Sequence, residues 1–476
     1  MRGLGARRRT CGRGGSGEVG VVVRRLLKAV ATAGATQIVL VLLLTATVPV
    51  FLHFWGVRLF SEWLVLSAVP GYLTFADLGF SVVLANEMAV RAAAGDRDRA
   101  VEAFQSVLLA VTLILVGVFG ASLVPIFLAP LHAWLRLEAI APAAMRATLV
   151  LLCLQVLVNI EGAVITAGYK CEGHYARGIL ATCWIRVGEF AAAVAALAGG
   201  CGPCGVSGAV LASRIAGLTA ATCDLKRRSP WIEIGWRRAS RARIGELMGP
   251  SLAANGLPIG HALSFQGMPI AISSALGPVA AGTFATLRNL SRMPVQLITA
   301  AASGGSAEFC AVVGRQDLAT ARRLLRRVTQ LVLWGTAAML ALLAALGAPI
   351  YRVWTMHRYA FDARLYLVLL VVIVPSTVWI HMSSTAVILR RHRGITAFYV
   401  LCTALCVGCA ALFGRSFGAV FCALALLAFD SLAAAAALFV TVRALEDDVW
   451  DFVRFVATPP VGWIAARARS GWRDWA

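Results

Sequence analysis

Apolar runs of about 20 residues recur along almost the whole chain, for example at 104–128, 146–168 and 326–349. Each is long enough to cross a hydrocarbon core ~30 Å thick. In lipid every backbone donor and acceptor must be satisfied internally, so a spanning segment is either a helix or a strand of a closed barrel. The runs are continuous rather than alternating, which favours helices. They predict twelve spans, at about 31–52, 60–86, 104–128, 146–168, 179–199, 205–224, 247–274, 280–305, 326–349, 366–388, 396–412 and 417–441. With 59% hydrophobic and 14% charged residues, the chain lacks the charged surface a soluble domain needs.

Displaced by 221 residues, the chain matches itself. Gly56 falls on Gly277, Glu87 on Glu308, Asp96 on Asp317 and Ala100 on Ala321, and the hydropathy of several spans coincides. The expected architecture is an all-α polytopic membrane protein with two six-helix bundles, 29–224 and 247–442. Six is even, so both copies enter the membrane in the same sense, related by a pseudo-two-fold along the membrane normal. Around them lie a basic tail (1–28), a basic interfacial linker (225–246) with Trp231 and Trp236, and a terminal segment (443–476) carrying Trp450, Trp463, Trp472 and Trp475 among arginines.

The formal charge of +21 would suggest nucleic acid in a soluble protein. Here most Lys and Arg fall in the termini and the even-numbered connections. The odd connections hold few: Arg58, Arg136, Arg146, Arg352, Arg358, Arg364 and Arg415. This positive-inside bias places both termini in the cytoplasm and sets the basic surface against membrane lipids rather than nucleic acid.

Most cysteines lie within spans and give no disulfide framework. Cys201-Gly202-Pro203-Cys204 has the letters of a redox motif, but its flanks lack the strand and soluble helix that chemistry needs. It reads as an outward turn whose spacing allows a local disulfide. Cys402, Cys406 and Cys409 share one helix face and read as packing residues rather than metal ligands. Pro49, Pro70, Pro250, Pro258, Pro269 and Pro294 lie in the first two spans of each half, as hinges or ordinary kinks.

A charge at mid-membrane costs ~2.5–3.5 kcal/mol on the mildest scale, which makes each one a functional candidate. The mid-span arginines are Arg186, Arg214, Arg288 and Arg292; the acids at similar depth are Glu189 and Asp430. Glu62 lies near the outer end of its span; Asp77, Glu87 and Glu161 lie toward the cytoplasmic ends. Arg186 and Glu189, at i and i+3, can neutralise each other. Glu87 and Glu308 are expected to pair with nearby arginines, and Asp96 and Asp317 to start helices. His261 and His381 are the mid-span histidines. Arg288 and Arg292 share a helix face with no acid one turn away, and their counterparts in the first half are Ser67 and Gly71. This pair suits an anionic ligand: phosphate, pyrophosphate or an acidic sugar.

Phe54-Trp55-Gly56, Ser61-Glu62-Trp63, Asp77-Leu78-Gly79-Phe80-Ser81 and Ala85-Asn86-Glu87 resemble the opening of bacterial polysaccharide-unit flippases. Ser264-Phe265-Gln266-Gly267, Leu276-Gly277-Pro278, Thr286-Leu287-Arg288-Asn289-Leu290-Ser291-Arg292 and Pro294-Val295-Gln296 continue the pattern in order. The resemblance, over about 31–330 by motif and beyond that by topology, is to the O-antigen and exopolysaccharide flippases of the MOP superfamily, which also holds the MATE exporters and lipid II flippases. It implies two bundles around a cationic cavity in the bacterial cytoplasmic membrane. It implies transfer of an undecaprenyl-pyrophosphate-linked oligosaccharide from inner to outer leaflet, coupled to a proton or sodium gradient, alongside other polysaccharide-assembly membrane proteins. Arg288 and Arg292 lie within the matching motifs; Arg186 and Arg214 join them as substrate-binding candidates on burial alone. Glu62, Asp77, Glu189 and Asp430 are the ion-coupling candidates, although they form no acidic cluster in the sequence. No cofactor or metal is expected. A MATE-like exporter of small molecules is the alternative. A membrane polymerase or acyltransferase is less well supported, because the outward connections 129–145 and 350–365 hold few acids or histidines (His132, Glu138, His357, Asp362).

Overall fold

The computed structural model describes residues 15–169, 175–303, 306–389 and 391–460. Within these, the side chains of 15–31, 33, 93, 175, 250, 252–257, 294–303, 306–308 and 311 are outside the description. The expectations for Glu308, Pro250, Pro294, residues 1–14 of the basic tail and Trp463, Trp472 and Trp475 therefore lie outside the described residues, while the backbone of 15–28 belongs to the first helix.

Among the described residues the chain is all helix. The order is α1 (Gly15–Ala68), a 3-10 segment (Val69–Asp77), α2 (Phe80–Ala93), α3 (Arg97–Leu128), α4 (Leu131–Trp134), α5 (Pro142–Ala167), α6 (Tyr175–Ala198) and α7 (Pro203–Arg228). The second half follows as α8 (Arg241–Leu276), α9 (Pro278–Ser303), α10 (Ser306–Gly314), α11 (Leu318–Trp354), α12 (Ala363–Ile388), α13 (His392–Ala444) and α14 (Val449–Ala457). Eight stretches are long and apolar enough to cross a membrane. Two of them hold more than one helix: Gly34–Ala92 takes in both parts of α1, broken at Gly56, with the 3-10 segment and α2, and His392–Ala444 is broken at Gly418.

The duplication is visible in the packing. In the first half α1 packs on α6, α6 on α7, α5 on α7, α2 on α3 and α3 on α5. In the second, α8 packs on α13, α12 on α13, α9 on α11 and α11 on α12. Helix bounds repeat at the same 221-residue displacement: α3 and α11 start at Arg97 and Leu318, and α5 and α12 run Pro142–Ala167 and Ala363–Ile388. Asp96 and Asp317 cap α3 and α11, accepting from the Arg99 and Thr320 amides at 3.2 and 3.0 Å. Glu87 pairs with Arg91 (2.9 Å) and with Arg243 at the start of α8 (3.1 Å).

One residue joins each of three helix pairs. Gly56, Gly277 and Gly418 have φ of 71°, 93° and 79° with ψ near ±180°, a region open essentially to glycine alone. A Cβ on Gly277 would meet nothing within 4 Å, so the demand there is purely on the backbone. Gly277→Ala is expected to lower stability by about 1–3 kcal/mol, read as earlier thermal unfolding in detergent, with no change in the cavity described below.

The linker is docked rather than loose. Gln105 in α3 donates to the Glu233 carbonyl (2.9 Å) and accepts from the Arg238 amide (2.6 Å), while Ser106 Oγ accepts from the Ser240 amide (2.9 Å). Trp236 stays exposed. At the other end, α14 buries Phe452 and Val456 against the second lobe and leaves Trp450 outside. Arg326 holds Asp447 through two bonds (2.9 and 2.5 Å), and Gln330 donates to the Thr458 carbonyl (2.7 Å). Cys201 and Cys204 are free thiols; Cys402 and Cys406 are buried.

The two lobes are sealed together on the face away from these basic connections. Ser61 and Tyr359 share a hydrogen bond (2.5 Å), Trp354 donates to the Thr45 carbonyl (2.7 Å), Ser273 to the Leu135 carbonyl (2.8 Å), and Arg358 to the Leu52 carbonyl. Gly282 admits this seal: a Cβ there would lie 2.5 Å from Ser61 Oγ and 2.6 Å from the Tyr359 hydroxyl.

Candidate functional site: an arginine-bearing cavity between the lobes

Below the seal a cavity of about 530 Å³ opens between the 3-10 segment and α2 on one side and α8, α9, α12 and α13 on the other. Its chemistry starts from α9. Arg288 stands ten residues past Pro278, ~15 Å along the helix at 1.5 Å per residue. The residue is 5% exposed and its guanidinium is fixed to α8: Nη1 donates to the Ser264 carbonyl (2.9 Å) and Nη2 to Ser264 Oγ (2.8 Å). Arg292, one turn on, faces the same cavity. Both cations lie over the Phe265 ring, at 5.3 and 5.6 Å. Among the described residues, Arg292 has no hydrogen-bond or ion-pair partner. One arginine is thus anchored and the other has its donors unspent.

Two carboxylates line the same space, and both are already bonded. Asp430 in α13 accepts from Ser376 Oγ (2.6 Å); Asp77 accepts from Ser81 Oγ (2.7 Å) and its amide (3.2 Å). Neither is in an ion pair with Arg288 or Arg292 among the described residues. Trp379 and Tyr399 stack at 4.0 Å, with His261 5.7 Å from the Tyr399 ring. His381 is turned elsewhere, and its Nε2 is buried with no partner.

The backbone around the cavity approaches closely. A Cβ on Gly71 would lie 2.6 Å from the Gln266 side chain, and one on Gly260 would run into the Tyr399 ring. Gly71 occupies the position of Arg292 in the first lobe. There the chain is a 3-10 segment with Pro70 in its first turn, whereas the corresponding stretch of α9 is uninterrupted α-helix. One repeat position therefore serves close packing in one lobe and charge in the other.

The remaining candidates lie elsewhere. Glu62 is 1% exposed at the sealed face, and its carboxylate accepts from the amides of Glu138 (2.7 Å), Ala139 (2.7 Å) and Ile140 (2.9 Å). It holds a connection in place and does not border the cavity. Glu189 sits inside the first lobe between two arginines: Arg214 Nε bonds one oxygen and Arg186 Nη1 lies 3.4 Å from the other. The tighter partner is Arg214 from the next helix, not the i, i+3 neighbour. The four arginines thus divide into two sites, one in each lobe. Sequence reasoning missed Phe265, Ser264 and Ser376, whose roles follow from helix rotation. It also missed that Glu161, bonded to Thr112 Oγ (2.9 Å), keeps a buried second oxygen without a partner.

No protein-family model and no curated protein sequence matches the chain. Solved structures do match its fold. An inward-facing multidrug resistance MATE transporter of the MOP superfamily superposes with TM-score 0.68 at 14% identity, covering 89% of this chain and 98% of that one. An outward-facing form of such a transporter gives 0.61 at 14% identity, over 89% and 95%. A MOP superfamily transporter from Pyrococcus furiosus gives 0.61 at 16%, over 89% and 96%; it is described by a binding pocket of reverse polarity that suggests a different function. The chain has the two-bundle fold of these membrane transporters.

Proposed function

We propose that the protein is a flippase for an anionic lipid-linked oligosaccharide. It moves the undecaprenyl-pyrophosphate-linked unit from the inner to the outer leaflet of the bacterial cytoplasmic membrane. The observation that carries this reading is Arg292: a cation facing a mid-membrane cavity with its donors unspent, beside the anchored Arg288. Leaving a guanidinium unpaired in such a place is costly unless a ligand completes it. A pyrophosphate or acidic sugar supplies the matching oxygens. With the basic connections in the cytoplasm, the seal at Ser61–Tyr359 closes the outer side and the cavity stands ready to load. Rocking of the lobes would break that seal and present the headgroup to the far leaflet while the lipid tail stays in the bilayer.

An ion-coupled exporter of small molecules is the second reading, favoured by the MATE transporters among the fold neighbours. Cationic drugs would need an excess of carboxylates, but Asp77 and Asp430 share their cavity with Arg288 and Arg292. The Pyrococcus furiosus neighbour, with its reverse polarity of binding pocket, supports the idea that one fold accommodates pockets of opposite sign.

The test is proteoliposomes loaded with fluorescent undecaprenyl-pyrophosphate saccharide, whose exposure is followed with a membrane-impermeant quencher. Protein-dependent transfer of chemically unchanged substrate is expected. Efflux of cationic dyes without saccharide transfer would assign the protein to the exporters instead.

A further inference from the structure

Arg186 and Arg214 lie outside the cavity that carries the proposed function, yet they share a void of their own. It measures about 200 Å³ and is walled by α5, α6 and α7, with Asn159, Thr166 and Thr182 beside the two guanidiniums. Glu189 is their common counter-ion, and all three charges stand near the middle of their helices. Two cations on one carboxylate leave one formal positive charge facing that void.

The partners are unequally used. Arg214 is 4% exposed and spends only Nε on Glu189; among the described residues its two terminal amino groups have no hydrogen-bond partner. Arg186 touches Glu189 only at 3.4 Å, and its side chain is 44% exposed. A satisfied structural triad would consume the Arg214 fork, because a planar guanidinium matches a carboxylate through two parallel bonds. Here the fork is offered to the void instead.

The void has a neighbour. Thr166 and Thr182 border a second space of about 320 Å³ in the same lobe, walled further by Thr36, Ser81 and Tyr169. The Thr36 hydroxyl is buried there without a partner. Val82 lines both this space and the cavity between the lobes. Three spaces thus lie in series, the central cavity and the arginine pair being separated by a hydroxyl-lined one that shares wall residues with both.

We propose that the first lobe holds a second oxyanion site, formed by the Arg214 fork and Arg186, that takes a phosphate-type group. The site binds one anionic charge, set by the single uncompensated cation. Identification of the anion's donor as the transported substrate rests on the flippase reading; the binding itself does not. Two donors share the chemistry: the phosphate of a lipid-linked substrate entering through the central cavity, and the headgroup phosphate of a membrane phospholipid.

The full chain, purified in neutral detergent, is titrated calorimetrically with inorganic pyrophosphate and, separately, with short-chain phosphatidate. Arg186→Gln removes the more exposed cation. Arg214→Gln combined with Glu189→Gln keeps a neutral bonded pair and avoids a lone buried charge. Each is expected to weaken one binding event by about tenfold or more, as loss of a charge-assisted bond does. That event must survive in Arg288→Gln/Arg292→Gln. Loss confined to pyrophosphate assigns the site to substrate phosphate; loss confined to phosphatidate assigns it to a phospholipid headgroup. Unchanged binding of both anions in both first-lobe variants overturns the proposal. If only the Arg288/Arg292 variant loses pyrophosphate, the second site fails while the central one stands. If only the first-lobe variants lose it, the central reading fails and the second site stands.

Discussion

Arg292→Gln is expected to stop transport of the lipid-linked saccharide while leaving the protein folded and in the membrane. Its guanidinium makes no hydrogen bond within the described protein, so its removal deprives the fold of little beyond a stacking contact on Phe265. Stability should stay within about 1 kcal/mol of the parent, the scale of such a cation–π contact. The ligand, by contrast, loses a charge-assisted bond worth roughly 1.5–3 kcal/mol, about ten- to a hundredfold in affinity. Arg288→Gln should behave differently. It breaks the two bonds that tie α9 to Ser264 in α8, so both transport and thermal stability should fall. Measuring the quencher-accessible saccharide beside the unfolding midpoint separates the two cases. Full transport by the Arg292 variant would remove the basis of the assignment.

Glu62→Ala should give the largest loss of stability of any single change considered. The carboxylate is the acceptor for three consecutive backbone amides, at 138–140. Removing it strands donors that cost about 1–3 kcal/mol each when buried and unpaired. A total of roughly 3–9 kcal/mol follows if water cannot reach them. Glu62→Gln retains one acceptor oxygen and should fall between. The loss reaches further than the amides: the same connection presents the Leu135 carbonyl to Ser273 of the other lobe. Loosening it should therefore also weaken the outer seal, visible as faster labelling of a cysteine placed at Tyr359. A Glu62→Ala protein that unfolds at the parent temperature would contradict this account of the connection.

The chain discloses its long-range architecture far more readily than the work of its individual carboxylates. Hydropathy and the 221-residue displacement were enough for the helical class and the repeat, because the demands of lipid act on long segments. Gly56 and Gly277 could be paired from the sequence, and their shared backbone angles supply the reason they match. The Arg288/Arg292 pair was legible because i, i+4 geometry lies within one helix. Glu62, Asp77, Glu189 and Asp430 looked alike as intramembrane acids, yet they do different things. Glu62 is committed to backbone amides and Glu189 to two guanidiniums; only Asp77 and Asp430 reach the cavity. That division depends on helix rotation and on partners many residues away, which spacing along the chain does not encode. The same limit hid Arg214 as the closer partner of Glu189. The 3-10 segment around Pro70 was signalled only by its proline, a residue equally at home in an ordinary kink.

The single-glycine joints at Gly56, Gly277 and Gly418 also bear on how the chain is made. Two apolar helices joined by one residue have no polar loop that could cross the bilayer before the second helix follows. Each pair is therefore built to insert as one hairpin, since a one-residue joint leaves no length in which the first helix could settle apart from the second. Lengthening these joints with charged residues should convert paired insertion into stepwise insertion. The glycines would then set the order of biogenesis as well as the shape of the finished lobes.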